Sequence, residues 1–337
     1  MRAFVVTAPH RSEVREVRDP VPAPGQVVVD IDRAGVCGTD VEFFTGEMAY
    51  LHQGHASYPM RLGHEWCGTV RAVADGVDPS WLGRRTTGDT MLGCGTCHRC
   101  LHGRPHVCAN RYEVGIRGGF AGALAEQMAV PVTALHPLPD AVGQAAGALV
   151  EPGGNALRSV LSAALEPGER VLVLGPGTIG LLAALFALAQ GAEVHILGRT
   201  LQSVRFARTL GVHGAWATQH LPALRFDAVI DASNSPALPA RALDLVEPGG
   251  RVVYIGLAGS PSTIDTRTMV LKDVTAVGIL GASSGLQAAI EQYAGGSVDP
   301  RPLVAATVGL AAVGDVLAGA RPAGSGAGPK IQVDPRA

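Results

Sequence analysis

The sequence has little charge, and what it has is nearly balanced. Charged residues make up 17% of 337 positions and the formal net charge is −2, where a typical soluble domain carries about a quarter. No run of lysines and arginines occurs, so the chain lacks the basic face or stripe that a nucleic-acid partner needs. Long apolar stretches are also missing. The longest apolar helix candidate, Ile179 to Ala189, is too short to span a bilayer and reads as a buried helix, so no membrane partner is expected. The N-terminus, Met1-Arg2-Ala3-Phe4-Val5-Val6, turns polar at Thr7 and offers no signal-peptide core. A soluble, cytoplasmic protein is the expectation. Neither a repeat nor a heptad pattern is present, which sets aside solenoids and coiled coils.

Cysteine is sparse but clustered. The six are Cys37, Cys67, Cys94, Cys97, Cys100 and Cys108. Without a secretory context, close spacing favours metal over disulfides. Cys94, Cys97, Cys100 and Cys108 lie within one short loop, and four thiolates can close a tetrahedral shell around one zinc ion. Such a shell leaves no open position, so the site is structural. Gly93, Gly95 and Gly103 supply the turns, and His98, His102 and His106 read as loop residues. Cys67 reads as inert core.

The length suggests about two domains. The first 150 or so residues hold short β-rich segments, such as Val27–Ile31, Thr69–Val73 and Leu124–Val132, divided by glycine and proline. After Pro152 the pattern changes to alternating strands and helices. Strands are expected at Arg170–Leu174, Glu193–Leu197, Phe226–Asp231, Gly250–Gly256 and Val274–Leu280. Helices are expected from about Ile179 to Gln190, at Leu201–Leu210 and at Pro236–Val246. That alternation implies parallel βαβ units with helices on both faces of a sheet.

Between the first of these strands and its helix lies Gly175-Pro176-Gly177-Thr178-Ile179-Gly180. The spacing fits a dinucleotide turn. Gly175 makes the tight turn, Gly177 lets backbone approach a pyrophosphate, and Gly180 lets helix and strand pack. The amides of Thr178 and Ile179 open the helix towards the anion. The second strand ends Gly198-Arg199-Thr200, where an NAD enzyme usually carries an acid on the ribose hydroxyl. Gly198 removes that carboxylate, and Arg199, with Arg205 as a second contact, can pair with a 2′-phosphate. NADP(H) is therefore expected over NAD(H).

Three further segments carry metal-type residues: Gly35-Val36-Cys37-Gly38-Thr39-Asp40, Leu62-Gly63-His64-Glu65 and Val150-Glu151-Pro152. Taken singly, each has an ordinary structural explanation. Taken in order with the four-cysteine loop and the glycine turn, the chain resembles the zinc-containing medium-chain dehydrogenases. It is similar in particular to the branch with sorbitol, threonine, butanediol and archaeal glucose dehydrogenases. The resemblance implies an α/β chain: a GroES-like β-rich catalytic domain over residues 1–151, completed by about 284–337, and a Rossmann doubly wound parallel-sheet coenzyme domain over 152–283. It implies a catalytic zinc on Cys37 and His64, with Glu65 a third ligand or one that swings in and out of the shell, Glu151 a ligand directly or through water, and Thr39 as the hydroxyl that passes on the substrate proton. Two zinc ions per chain follow, one catalytic and one structural. The implied activity is hydride transfer between NADP(H) and a small alcohol or ketone of polyol, sugar, amino-sugar or cyclitol type. Members of the branch are commonly dimers or tetramers, so a homodimer or homotetramer is expected.

The chain departs from the branch in places. Glu42 stands where many relatives place a histidine. Trp66 follows His-Glu, either as core or as cleft filler, and Gly153-Gly154 follow Glu151-Pro152, where missing side chains would widen the pocket. The arginine that sorbitol dehydrogenases place near the last Rossmann strand is absent from Gly278–Ala282. Phe43, Phe44, Tyr50, His52, His55 and Phe120 are candidate pocket walls. The rival reading is a non-catalytic, zinc-stabilised NADPH-binding or sensor protein. It accounts for the cysteine loop and the glycine turn but not for Cys37, His64, Glu65 and Glu151 together.

Overall fold

The computed structural model describes residues 1–337 and contains two principal sheets. The later one has six parallel strands in the order Gly214–Ala217, Glu193–Gly198, Arg170–Leu174, Phe226–Asp231, Val246–Tyr254, Thr275–Gly278. Val171 to Leu174 are all fully buried, as expected where helices cover both faces of a parallel strand. The helix Thr178–Ala189 is apolar around most of its circumference for the same reason and joins a cluster of 34 buried residues. Each fully buried Leu or Val there contributes about 1.5–3 kcal/mol.

The strand and helix expectations hold with shifted ends. The helix Leu238–Leu245 begins after Pro236, and the next strand begins at Val246. The short strand Gly214–Ala217 escaped the sequence reading because its four residues include a glycine and two alanines. No helix is long and apolar enough to cross a membrane.

The other sheet has seven strands around Gln26–Gly35, which pairs antiparallel with Glu65–Val73, Gln127–Pro131 and the C-terminal Lys330–Asp334. The chain end thus returns to the first sheet, with Val304–Gly309 parallel to Lys330–Asp334. The segment between behaves differently: the helix Leu286–Ala294 shares its core with the six-stranded sheet.

A 14-residue helix, Val150–Ala163, joins the two halves. Gly153 and Gly154 do not open a pocket on it. A Cβ at Gly153 would overlap the hydroxyl of Tyr293, and one at Gly154 would lie 3.1 Å from Ala282 Cβ. The two glycines instead let this helix and Leu286–Ala294 touch, with the Tyr293 hydroxyl donating to Leu149 O at 3.2 Å. Trp66 is fully buried core.

Candidate active site

Register on the first sheet assembles the site. Gly35 pairs with Glu65 on one side and with Gln332 on the other, so the ends of three strands meet. A Cβ on Gly35 would overlap Glu65 Oε2, so glycine there gives the carboxylate room. Cys37 follows at once as the N-cap of the helix Gly38–Thr45, and His64 directly precedes Glu65. One donor atom each from Cys37, His64 and Glu65 lie within 4.8 Å of one another. A thiolate, an imidazole and a carboxylate suit zinc, and three protein ligands leave a fourth position open.

Asp40 is the residue that sequence reasoning quoted without giving it a task. It is completely buried. Its Oδ2 accepts from the Cys37 amide at 2.9 Å and its Oδ1 from the Gly63 amide at 3.2 Å, and Oδ1 stands 3.6 Å from His64 Nδ1. One carboxylate therefore ties the two ligand-bearing segments together and faces the imidazole, as carboxylates commonly do behind metal-binding histidines. Burial alone would lower the His64 pKa, but Asp40 and Cys37 outweigh it and raise the value. The Thr90 hydroxyl donates to His64 O at 3.2 Å and fixes the turn from outside.

Lys330 was also missed. Its ammonium is buried and donates to both Glu65 oxygens at 2.6 and 2.8 Å and to Val36 O at 2.9 Å. Burial opposes the charge, yet Glu65 and Cys37 hold the pKa above its ordinary value. The available signal was a lysine opening the alternating run Ile331-Gln332-Val333 at the chain end. Glu151 sits nearby in the first turn of the linking helix but outside the three-residue group. Its carboxylate accepts from Asn155 Nδ2 at 3.0 Å. Desolvation raises its pKa to about 7. Thr39 is half-buried in the first turn of the helix Gly38–Thr45.

Among the candidate pocket walls, Phe43 and Phe44 belong to the core. The Tyr50 hydroxyl donates to Glu113 Oε1 at 3.3 Å and meets Arg111 Nη2 at 3.1 Å. Phe120 packs partly buried on the same core, while His52 and His55 are exposed.

The four cysteines of the loop also converge, all sulfurs within 4.8 Å of one another. Cys97 Sγ lies 3.5 Å from Cys100 Sγ and 3.7 Å from Cys108 Sγ. Tetrahedral zinc with bonds of about 2.3 Å separates its sulfurs by about 3.8 Å, whereas a disulfide needs about 2.05 Å. The set fits a metal and not a bridge. His98 and His102 stack outside it at 4.0 Å between ring centroids, and His106 is buried with Nδ1 unpartnered. Cys67 is buried and its thiol is pushed up to about 12 by desolvation, consistent with inert core.

The glycine turn separates into three roles. Gly175 has φ of +98°, and a Cβ there would lie 3.0 Å from Ala232 O. Gly177 caps the helix with open space where its side chain would be, and a Cβ on Gly180 would overlap Gly175 O. Thr178 and Ile179 form the first helical positions. Arg199 and Arg205 are exposed, and Thr200 caps the next helix by accepting from the Ser203 amide at 3.2 Å. A Cβ on Gly198 would lie 2.9 Å from Pro176 Cγ, so packing also disfavours an acid there.

This architecture and its two metal-type clusters define a zinc-dependent dehydrogenase. The Alcohol dehydrogenase GroES-like domain family matches residues 23–140 and the Zinc-binding dehydrogenase family matches residues 178–295. The chain belongs to the zinc-type medium-chain alcohol dehydrogenases and is an NAD(P)-dependent oxidoreductase. It is 32% identical over 293 residues to the L-threonine 3-dehydrogenase of Saccharopolyspora erythraea, covering 83% of this chain and 84% of that one. Among solved structures, a zinc-binding dehydrogenase of Sinorhizobium meliloti bound to NADP matches at TM-score 0.89 and 27% identity over 99% of both chains. Galactitol-1-phosphate dehydrogenase of Escherichia coli matches at TM-score 0.88 and 25% identity, covering 99% of this chain and all (100%) of the other.

Proposed function

We propose that the chain transfers a hydride between NADP(H) and a secondary alcohol or ketone of a small polyol, sugar, amino sugar or cyclitol-like molecule. The observation that carries this is the meeting of Cys37, His64 and Glu65 from separate segments within 4.8 Å. Cys37, His64 and Glu65 would hold the catalytic zinc, with Glu151 bound directly or through water, and Cys94, Cys97, Cys100 and Cys108 the structural one. When bound, the catalytic ion supplies Lewis acidity that makes an alcohol a better proton donor. Thr39, two residues after Cys37, receives that proton through its hydroxyl. Lys330 neutralises Glu65, and Asp40 keeps the imidazole oriented. The halves are residues 1–151, completed by the C-terminal strands, and a coenzyme half from 152.

Gly175, Gly177, Thr178, Ile179 and Gly180 cradle the pyrophosphate. Gly198 leaves room at the ribose, and the unpaired Arg199 and Arg205 with Thr200 receive the 2′-phosphate. Association into a homodimer or homotetramer is supported by the exposed edge strand Thr275–Gly278, flanked by exposed Val270, Leu271 and Leu280.

The test is oxidation of polyols, sugars and amino-cyclitols with NAD and NADP in parallel, before and after chelation. Turnover with one class, lost on chelation and regained with zinc, is the expected result. Turnover that persists with both clusters empty of zinc refutes the site. Arg199→Leu together with Arg205→Leu is expected to lower the NADP/NAD ratio of kcat/KM about tenfold or more; an unchanged ratio refutes the cofactor assignment.

A further inference from the structure

After the cysteine loop, the chain folds into a tight turn from Glu113 to Arg117. The Glu113 amide donates to Arg117 O at 3.1 Å and the Arg117 amide to Glu113 O at 2.9 Å. The turn is fastened to the catalytic histidine. The Val114 amide donates to Thr90 O, and the Thr90 hydroxyl donates to His64 O. Gly115, in its middle, lies flat on the residue before His64: a Cβ there would be 2.7 Å from Gly63 O. The backbone that carries Arg117 is therefore tied to the segment that carries His64.

Three charged residues gather here, and their charges do not cancel. Arg111 donates to Glu113 Oε1 at 2.7 Å, and the Tyr50 hydroxyl completes that buried carboxylate. Glu113 is thereby satisfied. Arg117 forms no ion pair; its guanidinium lies over the Tyr50 ring, 5.4 Å from the centroid. His55 meets the same ring edge-on at 5.6 Å, and its carbonyl accepts from the Gly118 amide at 3.0 Å. Two cations and one anion leave one positive charge, half-buried and oriented by an aromatic face. A guanidinium stacked in this way keeps its planar fork of N–H donors free for an oxyanion.

We propose that Arg117 reads a negative charge on the substrate. The substrate class is then a small molecule with a secondary hydroxyl and, further along its carbon chain, a carboxylate or phosphate. This rests on the Cys37–His64 site being the catalytic centre. Arg117 fixes which molecule reacts and takes no part in proton or hydride movement.

The test uses matched sets: a polyol, the hydroxy acid of the same chain, and the polyol phosphate. Each is assayed with zinc-loaded enzyme and the preferred cofactor. Wild type is expected to favour one anionic member over the neutral one at least tenfold in kcat/KM, and which member wins identifies the anion. Arg117→Met is expected to erase that preference mainly through KM, leaving the neutral substrate within about threefold, and Arg117→Lys to restore part of it. A preference that survives Arg117→Met, or a wild type that favours the neutral member, overturns the inference while leaving the dehydrogenase reading intact. No turnover of any member overturns that reading as well. Calorimetry on the NADPH-saturated enzyme gives a readout without turnover: malonate and inorganic phosphate bind wild type more tightly than Arg117→Met, and equal affinities overturn the inference.

Discussion

The two metal-type clusters are built in opposite ways. The four cysteines come from one loop, and their positions depend on little beyond that loop. Cys37, His64 and Glu65 come from the ends of strands that meet only because the seven-stranded sheet has the register it has. Four thiolates around one ion would close its shell and leave no vacancy for chemistry. The second cluster mixes donor types, carries a buried lysine on Glu65 and a buried aspartate facing His64, and with three donors would leave a position open. A closed set contributes stability to its loop, whereas an open set contributes reactivity and depends on the whole fold to exist.

The largest predicted effect breaks the open cluster alone. His64→Ala is expected to lower turnover at least about a thousandfold, equivalent to about 4 kcal/mol of barrier. The melting temperature and NADPH affinity should stay close to wild type, because the Rossmann half is untouched. Metal analysis should show one zinc lost and one kept. Activity within tenfold of wild type would place the chemistry elsewhere.

The converse substitution, Cys100→Ser, is expected to act on stability. Loss of one thiolate opens the shell, and the lobe that relies on metal for its fold loosens. The melting temperature should fall by about 3 °C or more, roughly 2 kcal/mol for a chain of this size, while kcat per zinc-loaded active site changes less than threefold. An unchanged melting temperature with both zinc ions retained would mean that the loop folds without its metal.

That contrast also explains what was legible beforehand. Cys94 to Cys108 could be read from spacing, since a local loop states its own geometry. The glycine turn was legible for the same reason: Gly175 takes the positive φ of a tight turn and Gly180 leaves no room for a Cβ against Gly175 O. The parallel sheet was visible in its alternation, apart from Gly214–Ala217. The open cluster could be joined only through resemblance, because nothing in residues 37, 64 and 65 by themselves predicts strand register. Lys330 was invisible because its partner lies 265 positions away. Asp40 was in view but mute: its bond from the Cys37 amide is an ordinary helix cap, and its bond from the Gly63 amide depends on the path of a turn 23 positions away. Gly153 and Gly154 misled: absent side chains suggested space, and Tyr293 and Ala282 fill it.

A smaller effect should follow from Asp40→Asn, which keeps the shape and removes the charge. If the carboxylate holds His64 for the metal, zinc affinity or turnover should fall about 10–100-fold, the range for such supporting partners. The structural zinc should be unaffected, which distinguishes orientation of a ligand from general unfolding. Loss of both ions, or of neither with full activity, would remove Asp40 from the site.

The smallest effect belongs to a region with no metal-type cluster. On the six-stranded sheet, Arg170 donates to both Glu193 oxygens at 2.8 Å, and His195 Nε2 lies 2.9 Å from Glu193 Oε1. Arg170 first, then His195, hold the Glu193 carboxyl near a pKa of about 2. A depressed folded-state value stabilises the protein above the ordinary pKa of 4.5 and loses that contribution as pH falls towards 2. Both side chains are about one-third exposed, so solvent screening limits the pair to about 1 kcal/mol or less. Urea midpoints should place Glu193→Gln slightly below wild type at pH 7, with the gap narrowing at pH 3.5. A gap that widens on acidification would reverse the sign. A deficit as large as that of Cys100→Ser would show that an ordinary ion pair can hold this fold as firmly as a closed metal shell, and the distinction between the two clusters would then rest on reactivity alone.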